Sequence, residues 1–418
     1  MPFARPILPN RKRQPNHRSN DLPAPAQVGA SLHGYSPMSY FDQLVQRSDG
    51  SQLFDYHPNG HVQRCQCGQT VFFDNQFCLR CGSALAYHPE QGKLCSIEQE
   101  PNSDKWVIRS DGPLAGQSFS LCQHRQSAAQ CNWLVSKEEN APYCVACALN
   151  LTIPDLSIAT NADYWLTTEQ AKRRLIAQLT MLGLPTVSKN LDAKQGLGFK
   201  LLRPIPDGPA VLTGHMDGVI TLNIEEADPA HRESVRQNMH EPYRTMLGHF
   251  RHESGHYYWD RLVMDTPWLP VFRDLFGDER LDYKQALETH YYQGPPVDWF
   301  HTFISSYAAS HPWEDWAETW AHYLHMTDTL NVALDFGIRL DTLKLHIDEF
   351  DASHLQGCPR GNDDQEVFLA FINRWVQLSS VLNVLARSMG QADIYPFVLT
   401  TPSLRKLYLV HSIVADVG

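Results

Sequence analysis

Eight of the ten cysteines of this 418-residue chain fall into two quartets, and their spacing limits the fold of the first third more than any other feature. Cys65-Gln66-Cys67 and Cys78-Leu79-Arg80-Cys81-Gly82 bracket a short strand-like run at 70–73 and a turn at Asp74-Asn75. Two close pairs joined by a hairpin-sized loop place each pair on a knuckle and offer four thiolates to one closed tetrahedral zinc. The first pair is one residue tighter than C-x-x-C. Cys122, Cys131, Cys144 and Cys147 form the second quartet, with a regular knuckle at Cys144-Val145-Ala146-Cys147 and His124 as an alternative to Cys122. Cys95 and Cys358 are left over. A zinc with four protein ligands has no open position, so such sites hold a small domain together rather than do chemistry. Residues 51–150 therefore read as a double zinc-ribbon module in which metal substitutes for a hydrophobic core. Thiolates used in this way point to a reducing, cytoplasmic compartment.

The second constraint is His252-Glu253-Ser254-Gly255-His256, an H-E-x-x-H. On a helix, residues four apart project from one face, so both imidazoles reach one metal while the intervening Glu stands beside it. His249, one turn earlier, is a possible decoy. Pro242 suits the first turn of this helix. Gly248 and Gly255 each cost about 1 kcal/mol relative to Ala inside a helix. A glycine within the motif makes sense if something must approach the backbone there.

H-E-x-x-H sites differ in their third ligand. A further His six residues on is absent, because Trp259 and Leu262 stand where the Gly and His of that pattern would be. A Glu on a later helix is the other common solution. Around Pro312, the residues Trp313, Trp316, Ala317, Trp320 and Leu324 recur at helical spacing and read as core. Glu314 and Glu318 lie on the flank of that stripe, away from a solvent face expected at Asp315 and Thr319. Two acids at a core edge repel one another unless cations sit nearby. Glu314 is accordingly expected to ligate the metal, and Glu318 to accept a hydrogen bond from the far nitrogen of a ligand His. A solvated face with Glu318 paired to His322 is the plainer alternative.

Elsewhere the chain is less informative. Its length allows two or three domains. A net charge of −11 argues against nucleic acid as a partner. No apolar run reads as long enough to span a membrane, and the N-terminus reads as no secretory peptide. Residues 1–50 are Pro-rich, carry Arg5, Arg11, Lys12, Arg13 and Arg18 with no acid in the first twenty, and are expected to form a disordered tail. An amphipathic helix is expected over 167–182, capped by a Thr and stopped by Gly183 and Pro185, opening a main domain at 151–418. Period-two alternation at 219–224 puts Ile220, Leu222 and Ile224 on one strand face, either at a cleft edge able to pair with an extended peptide or in an ordinary half-buried strand. A further helix is expected at 366–388.

The E-x-x-x-E arrangement after H-E-x-x-H resembles the Glu-zincin clan. Tyr307, seven residues before Glu314, matches the spacing in the anthrax lethal factor catalytic domain. Over residues 60–415 the chain resembles bacterial zinc-binding metallopeptidases with an N-terminal zinc-ribbon domain. The carrying segments are 131–135, 153–156, 171–175, the stretch from His252 to Trp259 and the stretch from Glu314 to His325. The resemblance implies a mainly α, zincin-like metallopeptidase fold with a small β-sheet, preceded by a small zinc-ribbon β module. It also implies peptidase activity on a peptide or protein substrate, Glu314 as third ligand and Tyr307 as a helper at the reacting oxygen.

Together these features lead to an expected hydrolase with one catalytic Zn2+ at His252, His256 and Glu314, Glu253 as general base toward a zinc-activated water, and two structural Zn2+ in the quartets. His411 is an alternative to Tyr307 on residue type alone. Two other readings use the same residues: a zinc-ribbon binding or regulatory protein with a non-catalytic H-E-x-x-H site, its ribbons contacting a protein partner, and a zinc amidase acting on a small substrate.

Overall fold

The computed structural model describes residues 61–135, 141–205, 208–209, 211–239, 244–359 and 362–417. The tail expected at 1–50, and Pro242, lie outside the described residues.

Among the described residues, the region from 61 to 135 is built on β-strands joined by short 3-10 turns. Strands β1 (Gln63–Arg64) and β2 (Thr70–Val71) pair around the first cysteine knuckle. A five-stranded antiparallel meander follows: β3 (Ala84–His88), β4 (Lys93–Gln99), β5 (Trp106–Ile108), β6 (Ser118–Leu121) and β7 (Leu134–Val135). Ala86, Cys95, Ile97, Ile108, Phe119 and Leu134 form a small apolar core on this sheet. Metal therefore does not stand in for a core, contrary to the expectation from the sequence: residues 94–97 of β4 are buried on both faces, and Cys95 and Ile97 join the apolar cluster of a real sheet.

Strand β8 (Asn150–Thr152), three residues past Cys147, leaves this region and joins the next sheet. Helix α1 (Ala159–Met181) begins two turns before its expected start. Thr168, near the expected cap, is buried inside the helix and bonds Tyr164 O at 2.8 Å. Trp165, packed against His124 (ring centroids 5.1 Å), explains the early start: the preceding turns are needed to seat it. Gly183 (φ +70°) ends the helix, where a left-handed residue favours glycine.

Strands β9 (Gly198–Leu202), β10 (Gly214–Met216) and β11 (Val219–Asn223) complete a four-stranded sheet of order β10-β11-β9-β8. Ile220, Leu222 and Ile224 are fully buried, but β11 is interior, not an edge. Asp217-Gly218, both at positive φ (49° and 77°), turns the chain so that β10 covers β11 and becomes the exposed edge itself.

The rest is helical: α2 (Pro229–Met239), α3 (Met246–Leu262), α4 (Trp268–Phe276), α5 (Tyr283–Gln293), α6 (Pro312–Asp335), α7 (Asn362–Ser388) and α8 (Thr401–Val417). Helix α3 starts on Thr245, whose side chain accepts from Gly248 N at 2.9 Å. Helix α6 is central and packs against α3 on one side and α8 on another. Its expected solvent face is therefore buried. Asp315 and Thr319 are almost fully enclosed, and Lys406 of α8 answers the Asp315 charge at 2.6 Å.

Gly255 is a point of close approach between α3 and α6. A Cβ there would fall 2.9 Å from Ala317 Cα and 3.1 Å from Trp320 Cβ. Trp316 Nε1 donates to Gly255 O at 2.8 Å, and Trp320 Nε1 to Ser254 Oγ at 3.1 Å. The two tryptophans thus tie the motif helix to the helix carrying Glu314.

One stretch of α7, 365–388, is long and apolar enough by length and composition to cross a membrane, contrary to the sequence reading. Asn373, Arg374 and Gln377 interrupt the run and conceal it. Phe368, Phe371, Ile372, Trp375 and Leu378 of this stretch are buried in the protein core.

Candidate metal centres

The structure brings three groups of donors together: Cys65, Cys67, Cys78 and Cys81; Cys122, Cys131, Cys144 and Cys147; and His252, His256 and Glu314. Within each, the donor atoms lie within 4.8 Å of one another.

In the first quartet Cys65 Sγ lies 3.5 Å from Cys81 Sγ, and Cys67 Sγ 3.6 Å from Cys78 Sγ. In the second, Cys131 Sγ lies 3.7 Å from Cys144 Sγ. Zinc–sulfur bonds of ~2.3 Å in a tetrahedron put sulfurs roughly 3.8 Å apart, so both sets fit a four-thiolate ion. His124 is not in the second group; its ring packs between Tyr143 and Trp165. The first quartet is partly open, with Cys81 exposed, whereas all four thiols of the second are buried. Arg173 of α1 donates to Ala129 O at 3.1 Å, and Cys147 Sγ lies 4.0 Å from Glu169, which pairs with Lys172 in a fully buried ion pair.

The third group is built by α3 and α6. His252 and His256, one turn apart on α3, stand with ring centroids 5.0 Å apart. Glu314, in the first turn of α6, places Oε2 3.0 Å from His252 Nε2 and Oε1 3.5 Å from His256 Nε2. His252 Nδ1 lies 2.7 Å from Glu318 Oε1, and Ser305 Oγ donates to Glu318 Oε2 at 2.6 Å. With Nδ1 donating to Glu318, Nε2 of a neutral His252 presents a lone pair to the Glu314 oxygen. Two acceptors at 3.0 Å repel unless a proton or a cation lies between them, and a zinc ion satisfies both.

The electrostatics agree. Burial opposes charge on His252, but Glu314 and Glu318 outweigh it and raise its pKa well above the ordinary value. Burial likewise opposes charge on Glu314, and the two imidazoles reverse that and hold it well below the carboxylate range. Glu253 is buried with Oε2 free of any hydrogen bond, and burial raises its pKa. Tyr307, opening a short 3-10 turn (Tyr307–Ser310), stands 5.9 Å from His252 between ring centroids. Burial, with Glu314 nearby, keeps its hydroxyl protonated far above neutral pH.

Residues 161–413 match the family model described as "Putative zinc-binding metallo-peptidase", and residues 62–158 match a zinc-ribbon domain model. The chain belongs to that metallopeptidase family. Uncharacterized proteins of Mycobacterium bovis (strain ATCC BAA-935 / AF2122/97) and of Mycobacterium tuberculosis strains CDC 1551 and H37Rv are each 41% identical to it over 353 residues. The shared region covers 84% of this chain and 94% of each relative. No solved structure matches the chain.

Three other histidines singled out in the sequence of this family member, the decoy His249 and the alternatives His411 and His322, are not among the donors of the third group. His411 is fully buried on α8, bonded to Tyr323 Oη at 3.1 Å and packed against Phe368 and Tyr408. Its chemistry suited the role, but its apolar neighbours on α8 make it a core residue. His249 faces Glu226 at 3.9 Å. His322, the alternative partner for Glu318, instead meets Tyr395 Oη at 2.7 Å.

Several residues at the metallopeptidase site escaped the sequence reading. Trp313, read there as core, is a half-buried wall of the site, its ring 4.0 Å from that of His256. Tyr283 of α5 donates to Glu314 Oε1 at 2.5 Å. His290 and Tyr291, also on α5, flank Tyr307 at 5.8 and 6.5 Å. Ser305 lay two residues from Tyr307, and that proximity was a usable signal; nothing local marked Tyr283.

Proposed function

We propose that the chain is a zinc-dependent metallopeptidase of the Glu-zincin type, similar in its catalytic constellation to the anthrax lethal factor core. The single observation that carries this reading is the convergence of His252, His256 and Glu314 from two helices, with Glu253 enclosed beside them. His252 Nε2, His256 Nε2 and a Glu314 oxygen would hold the ion. Bound there with fewer than four protein ligands, zinc supplies a Lewis acid that acidifies water and polarises a carbonyl.

The chain's own residues do the rest. Glu318, fixed by Ser305, orients His252 so that Nε2 stays available. Glu253 takes a proton from the attacking water at its unpartnered Oε2 and returns it to the leaving amine, a task helped by burial, which raises its pKa and strengthens it as a base. Tyr307, protonated far above neutral pH, donates toward the oxyanion that develops on the substrate carbonyl.

The two thiolate quartets are proposed as structural zinc sites, giving three zinc ions per chain. In this reading 51–150 is a ribbon module, 151–418 the zincin-like peptidase domain, and 1–50 a tail. Four-thiolate sites favour a reducing, cytoplasmic setting. Peptides or proteins are the substrate class, and the ribbon surface, with Phe72, Phe77 and Leu79 exposed, is available to a protein partner.

The test is Glu253→Gln in the full chain, assayed for zinc content and for hydrolysis of an unstructured protein such as casein. Retained zinc with proteolysis abolished supports the reading. Undiminished proteolysis by the Gln variant would overturn it, as would a wild-type chain that binds all its zinc yet cleaves neither casein nor a diverse peptide library.

A further inference from the structure

Helix α5 buries none of its residues, yet its first one reaches the centre of the site. Tyr283 Oη donates to Glu314 Oε1 at 2.5 Å, while Glu314 Oε2 faces His252 Nε2 at 3.0 Å. The two oxygens of one carboxylate thus have different partners.

Besides the contacts of His290 and Tyr291 with Tyr307, Tyr283 is held from outside its own helix. Its ring stands edge-on to His311 (5.2 Å) and Trp313 (5.8 Å). His311 caps α6, its Nδ1 accepting from Trp313 N at 3.0 Å. With Nδ1 an acceptor, Nε2 carries the proton and donates to Leu281 O at 3.3 Å. Asp282, between Leu281 and Tyr283, caps α5 by accepting from Gln285 N at 2.9 Å. One histidine therefore starts the helix that carries Glu314 and anchors the strand of chain that delivers Tyr283 to it. This linkage sets the hydroxyl against the carboxylate from outside the α3–α6 pair.

We propose that Tyr283 is a positioning residue for Glu314, its hydroxyl engaging Oε1, the oxygen on the His256 side, so that Oε2 is turned toward His252 and the metal. The inference rests on the reading of Glu314 as a metal ligand. A carboxylate free of such a donor can rotate about its last torsion, and that freedom is lost again on binding the ion. The hydroxyl removes the rotation beforehand. Tyr283 acts through Glu314 and not on the reacting atoms, so its signature is in metal affinity.

The experiment uses the full chain as Tyr283→Phe, Tyr283→Ala and Glu314→Ala. Zinc is titrated against a chelator, and cobalt replaces zinc so that the thiolate sites, with intense sulfur-to-metal absorption, are read separately from a nitrogen and oxygen site. Phe and Ala at 283 are both expected to weaken the non-thiolate site about 10- to 100-fold, leaving the thiolate bands and the thermal midpoint of the metal-free body unchanged. A merely structural ring would behave differently: Phe, which keeps the contacts to His311 and Trp313, would restore wild-type affinity, and that result overturns the proposal. Glu314→Ala separates the two failures. If it abolishes the non-thiolate site while Phe at 283 changes nothing, the positioning role is wrong and the ligand assignment survives. If it leaves that site intact, Glu314 is not a ligand and the reading beneath the proposal falls with it.

Discussion

The ribbon region and the helical body treat their donor groups in opposite ways. In the ribbons the thiols sit at the margin of a small sheet: strands of two residues flank the first quartet, Ser96 Oγ of β4 lies 3.3 Å from Cys65 Sγ, and Cys81 stays exposed. In the body, Trp316, Trp320 and Tyr258 pack where α3 meets α6, and the imidazoles sit at the edge of that buried contact. The second quartet lies between these extremes, buried against α1 by Arg173 and the Glu169–Lys172 pair. A metal that makes a fold and a metal that is placed by one can therefore be told apart within one chain.

The largest effect is expected where metal and core coincide. Replacing Cys144 and Cys147 together by Ser should abolish zinc at the second quartet, whose binding is worth roughly 10 kcal/mol or more in comparable sites. Limited proteolysis should then cut α1 as well as the ribbon. His256→Ala, by contrast, should lose zinc only from the third group and keep a cooperative thermal transition; collapse of the body in that variant would erase the distinction.

Next comes the helix crossing. Gly255→Ala forces a methyl group into the 2.9 Å gap to Ala317 and should cost about 1–3 kcal/mol in denaturant unfolding, with no change at the ribbons.

Acid should weaken the body through buried histidines that stay neutral when folded. Burial pushes His215 down to about 3 and His322 down to about 4. Between an unfolded value near ~6.5 and those folded values, the unfolded chain binds protons that the native chain does not, so stability falls as pH drops across that window. Below the folded values both states are protonated and the loss saturates. For His322 the difference is on the order of 3 kcal/mol, and His322→Gln should flatten the slope of stability against pH from 6.5 to 4. The smallest effect belongs to Leu79, which is 98% exposed on the first knuckle. Leu79→Ser should leave stability within about 0.5 kcal/mol.

What could be read from the sequence was whatever depends on short spacing. The knuckle pairs of the thiol quartets, the H-E-x-x-H and the placing of Glu314 and Glu318 beside a tryptophan stripe are marked by local spacing, and the donor atoms of each group do meet in space. The strain implied by Gly255 was also legible, although the object approaching it, Ala317, was not. Errors arose where distant packing overrode a local signal. Thr167 and Thr168 looked like a cap, but Trp165 needed the helix to start earlier. Asp315 and Thr319 looked solvated, but α8 covers them and supplies Lys406. The Asp217-Gly218 turn was present in the sequence and, given its weight, would have moved the exposed edge from β11 to β10. Tyr283 reaches Glu314 through an exposed helix with no periodic signal of its own.

Anomalous diffraction at the zinc absorption edge, on crystals of the full chain, tests the central claim most directly. Two peaks should coincide with the thiolate quartets and a third should lie among His252 Nε2, His256 Nε2 and Glu314, within ordinary bonding distance of each. Peaks at the quartets alone, with the Glu314 carboxylate turned away from both imidazoles in zinc-saturated protein, would contradict it.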